Sequence, residues 1–205
     1  MTISYSDLKK GLPDFAEFPP IMRPSRNMLL TEKIDGTNAS VTITEDGRVV
    51  AGKRSGYIFD PVDNFGFPAW VDAHREELLE LGPGRHFGEW WGWKIQRGYG
   101  LPKDERRFSL FNVRRWSDEY PWDRIVNVDG ERRKRPACCG VVPILYAGPF
   151  DTSAVAWVMG ELRTNGSRAA PGFEKPEGVV IFHNAGDGTL FKKTFEKDEE
   201  GKGRR

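Results

Sequence analysis

A lysine set among acids is the first residue of this chain that invites a chemical reading. In TEKIDGTN (31–38), Lys33 stands between Glu32 and Asp35, just before Gly36, at what reads as the end of a strand. Other charged residues fall in comparable places: Arg54 in GKRSG, Glu89 in FGEWWG, Glu177 in PEGVV, and Lys192 with Lys193 in LFKK. Phe111 lies within FSLFNV. One basic residue at a strand end is an ordinary solvated cation. Cations, carboxylates and an aromatic spread over several strands describe something else: a pocket that neutralises a polyphosphate and offers a ring on which a base can stack.

Such residues need elements to hold them. NMLLTEK (27–33) and ASVTITEDGRVVAGKR (39–54) read as successive strands, with a hairpin turn at EDG (45–47), where Gly47 accepts a positive φ. AWVDAHREELLEL (69–81) puts Trp70, Val71, Leu78, Leu79 and Leu81 on one helical stripe, and GPG (82–84) stops it. RHFGEWWGWKI (85–95) and RRFSLFNVRRW (106–116) read as strands. A second helix is expected over 151–167, with Asp151 or Thr152 as its N-cap and Asn165-Gly166 as its end. EGVVIFHNAGDGTLFKKTF (177–195) reads as strand, turn at AGDG, strand. Strands with a few inserted helices, no repeat and no linker-like stretch give a single α+β domain. The tail, 196–205, is highly charged and is expected to fray.

Bulk composition narrows the classes. The chain has 205 residues, with 31 basic against 30 acidic and a formal charge of +1. That balance argues against a general nucleic-acid coat, so any polyanion must be met by a local patch. GKRSG and ERRKR (131–135) are the candidate patches, the latter reading as a solvated loop. Cys138 and Cys139 are adjacent, which suits neither a disulfide framework nor a zinc site. No apolar run approaches the roughly 18 residues of a membrane span, and MTISYSDLKKGLPDF lacks the apolar core of a signal peptide. A soluble protein is expected, with no membrane partner, in the cytoplasm of a cell or of a phage-infected host.

Taken in order, KIDG, the Arg54 element, the Glu89 strand, the Phe111 strand, EGVV and the Lys192-Lys193 strand resemble the motif series of the covalent nucleotidyltransferases, which comprise the RNA and DNA ligases and the mRNA capping enzymes. The resemblance implies a single nucleotidyltransferase domain over 1–195, ATP-grasp-like, of antiparallel sheets with inserted helices and the nucleotide between them. It implies ATP and Mg²⁺ (or Mn²⁺) as cofactors, and Lys33 as the nucleophile that takes AMP. An attacking lysine must first lose its proton, and a free lysine titrates near ~10.4, so burial and nearby positive charge are required. Lys192 and Lys193 would supply that charge and neutralise phosphate, with Arg54 contacting phosphate or a 3′ end. Glu32 would point away and offer its backbone to the adenine beside Ile34, while Gly36 would let the chain pass close to the nucleotide. Glu89 would meet the ribose, Phe111 the purine, and Glu177 the metal.

Asn38 narrows the branch. KIDGTN carries asparagine where DNA ligases usually have arginine, which resembles phage-type RNA ligases of the kind that seal nicked double-stranded RNA. The implied function is ATP-dependent RNA ligation in nucleic-acid repair: a lysyl-AMP intermediate, then joining of 5′-phosphate to 3′-hydroxyl ends. DNA ligation, capping-type guanylyl transfer and a non-catalytic nucleotide- or nucleic-acid-binding relative stay open as alternatives. Two departures from the family pattern stand out. Asn112 follows Phe111 where aspartate is common, and Lys192-Lys193 replaces Lys-x-Lys, so by alternation only one of the two lysines faces the phosphate unless a bulge intervenes, with Lys192 the favoured one. No appended OB-fold or other C-terminal domain is expected, and an accessory protein would then complete the substrate surface. Trp90, Trp91 and Trp93 suit core packing better than base stacking, and His183 reads as a plain strand histidine.

Overall fold

A computed structural model describes residues 23–122, 134–184 and 189–199, with scattered positions between 11 and 21. The AGDG turn, most of ERRKR and the tail beyond 199 lie outside the described residues. Among the described residues, ten strands form two sheets. The first contains β1 (Asn27–Lys33), β8 (Ile144–Pro149), β9 (Gly178–His183) and β10 (Leu190–Thr194) in the order β10-β9-β1-β8. The second contains β2 (Thr37–Ile43), β3 (Val49–Lys53), β4 (Gly56–Tyr57), β5 (Gly84–Gly92), β6 (Arg106–Leu110) and β7 (Cys139–Val141) in the order β4-β3-β2-β5-β6-β7. Every pairing is antiparallel except β6 with β7, which is parallel, so the second sheet is mixed rather than purely antiparallel.

Alternation along the strands assigns the faces. In β2, Ala39, Val41 and Ile43 are buried with Trp90, Phe108 and Leu110, and helix α1 (Asp63–Ala73) closes this outer side through Phe67 and Val71. The intervening Asn38, Ser40 and Thr42 turn to the opposite face, toward the first sheet. In β1, Met28 and Leu30 pack beneath helix α4 (Thr152–Asn165) against Val155, Val158, Met159 and Leu162. Leu29 faces inward and joins Ile34, Trp91, Tyr99 and Val142 between the sheets. Each sheet thus hides an outer face under helices, and the two inner faces meet over a small apolar cluster that leaves a cleft beside it.

Several expected elements differ in detail. The helix foreseen over 69–81 is interrupted: α1 begins earlier, with Asn64, Phe65 and Gly66 at φ 48°, 57° and 80°, and a break at His74 separates it from α2 (Arg75–Leu78) and a 3-10 turn at Leu79–Leu81. The strand foreseen over 106–116 stops at Leu110. Asn112 then accepts a hydrogen bond from the Arg115 backbone and caps a short helix, α3 (Val113–Trp116). Asp151 caps α4 through the Ser153 backbone, and Gly166 ends it at φ 76°. The tail does not fray at once, since Phe195–Glu199 make one further π-helical turn. Among the described residues no helix is long and apolar enough to cross a membrane.

Candidate active site

Lys33 is the last residue of β1 and pairs in register with Gly178 of β9. Alternation sends its side chain to the inner face and that of Glu32 to the opposite one. Glu32 is accordingly buried at 1% exposure, where it accepts hydrogen bonds from Ser167 Oγ at 2.5 Å, Arg168 N at 2.8 Å and Ala169 N at 2.9 Å. Burial pushes its carboxyl above the ordinary value of 4.5, and these three donors pull it back. On the inner side, Lys33 Nζ donates to Glu177 Oε2 at 2.6 Å, both side chains being largely enclosed. Glu177 immediately precedes β9. A Cβ on Gly178 would come within 2.1 Å of the Lys193 carbonyl oxygen, so only glycine lets β9 and β10 approach as they do here.

A second carboxylate reaches the same place from the other sheet. Glu89 of β5 accepts from Gly36 N at 3.0 Å and from Asn38 Nδ2 at 3.2 Å. Burial pushes its carboxyl from 4.5 up to about 7, against the pull of the nearby Lys33 charge and of these two donors. Gly36 is required by this packing: a Cβ there would lie 2.4 Å from the Trp90 carbonyl oxygen and 2.7 Å from Trp91 Cβ. The close approach that this glycine permits is thus to β5.

The loop after β5 holds the remaining acid. Arg97 Nε donates to Asp35 Oδ2 at 2.9 Å, and the Asp35 backbone N–H donates to Tyr99 Oη at 2.9 Å. Arg97 also reaches the Lys175 carbonyl and the Glu196 carboxylate, tying the Lys33 loop to the approach to β9 and to the tail. Tyr99 is buried at 2% and packs against Trp91 and Phe173. Sequence reasoning missed Arg97, Tyr99 and Ser167. Positive φ at Lys94, Gln96, Gly98, Tyr99 and Gly100 marks a tightly folded loop, for which the two glycines of RGYG were the one available signal.

Lys33, Asn38 and Glu89 lie in the wall of a cavity of about 880 Å³ between the sheets. Phe111, 40% exposed, faces it from the end of β6, and Val180 of β9 faces it from the other sheet. Lys192 pairs with Val180 and alternates with Leu190, another wall residue, so it lies on the cavity side of β10; Lys193 pairs with Val179 on the reverse face. Ile34 is buried in the inner cluster and reaches the wall. Arg54 is exposed in the turn between β3 and β4, outside the cavity wall. The structure therefore brings Lys33, Asn38, Glu89, Phe111 and Glu177 to one cleft, with Lys192 on its flank and Arg54 apart. Trp90 and Trp91 are core residues on opposite faces of β5. His183 bonds the Pro24 carbonyl.

Among the described residues no three His, Cys, Asp or Glu side chains gather to hold a metal. A hard divalent cation needs fewer protein ligands where phosphate oxygens complete its shell, and the Glu177 carboxylate suits that chemistry.

The sequence model of the RNA ligase family matches residues 26–194, which include every wall residue named above. The chain belongs to the RNA ligase family. Its fold is similar to that of the Naegleria gruberi RNA ligase. A lysine-to-methionine variant of that enzyme, solved with AMP and Mn, matches with a TM-score of 0.54 at 18% identity over 83% of this chain and 50% of that one. An apo lysine-to-alanine variant matches equally, at 18% identity over 89% and 57%. The same ligase with PPi matches with a TM-score of 0.54 at 17% identity over 83% and 50%. This RNA ligase chain thus spans about half the length of the solved ligases it resembles. No curated protein matches it in sequence.

Proposed function

We propose that this RNA ligase domain takes AMP from ATP onto Lys33 and delivers it to a 5′-phosphate end of RNA, whose phosphorus a 3′-hydroxyl then attacks to form the phosphodiester and release AMP. The observation that carries the reading is the placement of Lys33 Nζ, 2.6 Å from Glu177, at a cleft walled by Phe111 and Val180 from opposite sheets. In this reading adenine lies between that ring and that branched side chain, with the α-phosphate toward the lysine. The Lys33 ammonium gives up a proton, for which Glu177 is the adjacent acceptor. The freed amine forms an N–P bond to the α-phosphorus as the bond to pyrophosphate breaks. Lys192, on the cavity side of β10, then neutralises developing charge on the phosphates, with Lys193 contributing from the reverse face only through its field. Arg54 meets the nucleic-acid end at the rim.

Glu89, held by Gly36 and Asn38, would accept hydrogen bonds from the ribose hydroxyls. Glu177 would hold Mg²⁺ or Mn²⁺ together with phosphate oxygens, and the ion would supply charge stabilisation to the transferring group. Further support comes from the Naegleria gruberi ligase, whose structures contain AMP and Mn or ATP and Mn. The ligation step is tested by sealing a nicked RNA duplex, compared with nicked DNA, in the presence of ATP. RNA-selective joining that Lys33→Ala abolishes is the expected result; joining of DNA alone would overturn the choice of substrate.

A further inference from the structure

The inner face of the second sheet carries an aromatic and basic row that neither the lysine nor its nucleotide uses. Cross-strand partners share a face. Phe87 of β5 stands opposite Ser40, Ser40 opposite Gly52, and Gly52 opposite Tyr57 of β4. The Phe111 backbone N–H donates to the Phe87 carbonyl, which continues the row to the purine-facing ring. Between the outer aromatics the floor is bare: Gly52 has no side chain, and a Cβ there would meet Ser40 Oγ at 2.5 Å. Arg85, two residues from Phe87 on the same face, bridges that gap. Its guanidinium lies 5.1 Å from the Tyr57 ring centroid and 6.0 Å from that of Phe87, and its Nη2 donates to Tyr57 Oη at 2.6 Å.

These side chains are not core residues. Phe87 is 56% exposed and Tyr57 48%. Arg85 and Phe87 line the cavity that holds Lys33, as does Arg114, whereas Tyr57 lies beyond its wall. The row therefore leads from the cleft out onto open sheet. At about 880 Å³ the cavity is also near the top of the range of about 300–1,000 Å³ for a single small ligand, so one nucleotide at Phe111 leaves space beside it. Exposed rings interleaved with guanidinium groups suit an unpaired nucleic-acid strand, whose bases stack on the rings while arginine meets the phosphates. The near-zero net charge of the chain makes such a local arrangement necessary for binding a polyanion.

We infer that Phe87, Arg85 and Tyr57 form a second base subsite, beside the adenine position at Phe111, that stacks an unpaired base of the RNA end to be joined. This rests on the adenylylation reading for its substrate, but its test does not. Binding of a short fluorescein-labelled, 5′-phosphorylated single-stranded oligoribonucleotide would be measured by anisotropy for the unaltered chain and for Phe87→Leu, Phe87→Trp, Arg85→Gln and Tyr57→Leu. Phe87→Leu and Arg85→Gln are expected to weaken binding about tenfold each, and Tyr57→Leu severalfold, while Phe87→Trp retains it because the stacking surface is kept. Label transfer from ATP to Lys33, read in the same samples, tests the adenylylation reading separately. Undiminished RNA binding by the leucine and glutamine variants, or no binding by the unaltered chain, would overturn the subsite. A parallel loss of adenylylation in Phe87→Leu would overturn it too, by assigning the ring to the nucleotide.

Discussion

At the scale of single residues, the site is organised by how its acids are kept from saturating one lysine. Glu32 is turned to the far face and fed by Ser167, Arg168 and Ala169; Asp35 is paired with Arg97; among the described residues Glu177 is the acid that forms an ion pair with Lys33. Glu89 is the residue whose charge state should be visible in stability. Its carboxyl lies near 7 in the fold against an ordinary 4.5, so the protonated form favours folding. That contribution is complete below the unfolded value and is lost as pH rises through the folded one. Urea unfolding should therefore show Glu89→Gln gaining on the unaltered chain between about pH 5 and pH 8, by on the order of 2–3 kcal/mol. A constant difference across that range would contradict the burial argument. Gly36→Ala should cost about 1–3 kcal/mol, read from the same unfolding curves, because its Cβ meets backbone that cannot yield. Lys33, Asn38, Glu89 and Glu177 were legible because each sits in a short charged motif at a strand end. Arg97 and Tyr99 were not, because their roles depend on a loop whose path no periodicity encodes.

At the scale of elements, alternation did most of the predictive work. ASVTIT reads as a strand, and within β2 alternation buries Ala39, Val41 and Ile43 under α1 while Asn38, one position earlier, lies in the wall of the cleft. The same rule puts Lys192 and Lys193 on opposite faces, and pairing of Lys192 with Val180 decides which of them is on the cavity side. It failed where side-chain capping overrode it: RRFSLFNVRRW looks like a continuous strand, but Asn112 bonds the Arg115 backbone and turns the chain into helix. The short β7 and β8 were not foreseen, since Pro143 separates them and neither gives a long periodic run. Caps inferred from residue type hold more securely. Asp151→Ala removes the acceptor for the Ser153 backbone and should cost about 1 kcal/mol. A chain of this size should then melt roughly 2–4 °C lower by calorimetry. An unchanged melting temperature would mean that α4 is held by its apolar face alone.

At the scale of the whole molecule, the site exists only because the two sheets meet. Lys33 and Glu177 are 144 positions apart in the chain and touch through the β1–β9 register, while Glu89 arrives from the opposite sheet. No sequence window contains that geometry, although the order of motifs pointed to it. The scarcity of protein ligands for a cation has a consequence at this scale. With no cluster of three metal-binding side chains among the described residues, Mg²⁺ should leave the melting temperature of the nucleotide-free chain within about 1 °C, and should raise it only when ATP is also present. Stabilisation by Mg²⁺ alone would reveal a preformed metal site. The central claim is covalent, and intact-protein mass spectrometry after incubation with ATP and Mg²⁺ tests it most directly. The account predicts a gain of one adenylyl group, mapped to Lys33 by proteolysis and absent in Lys33→Ala. Folded chain that is not already adenylylated and gains no mass, or that carries the group on a different residue, would contradict it.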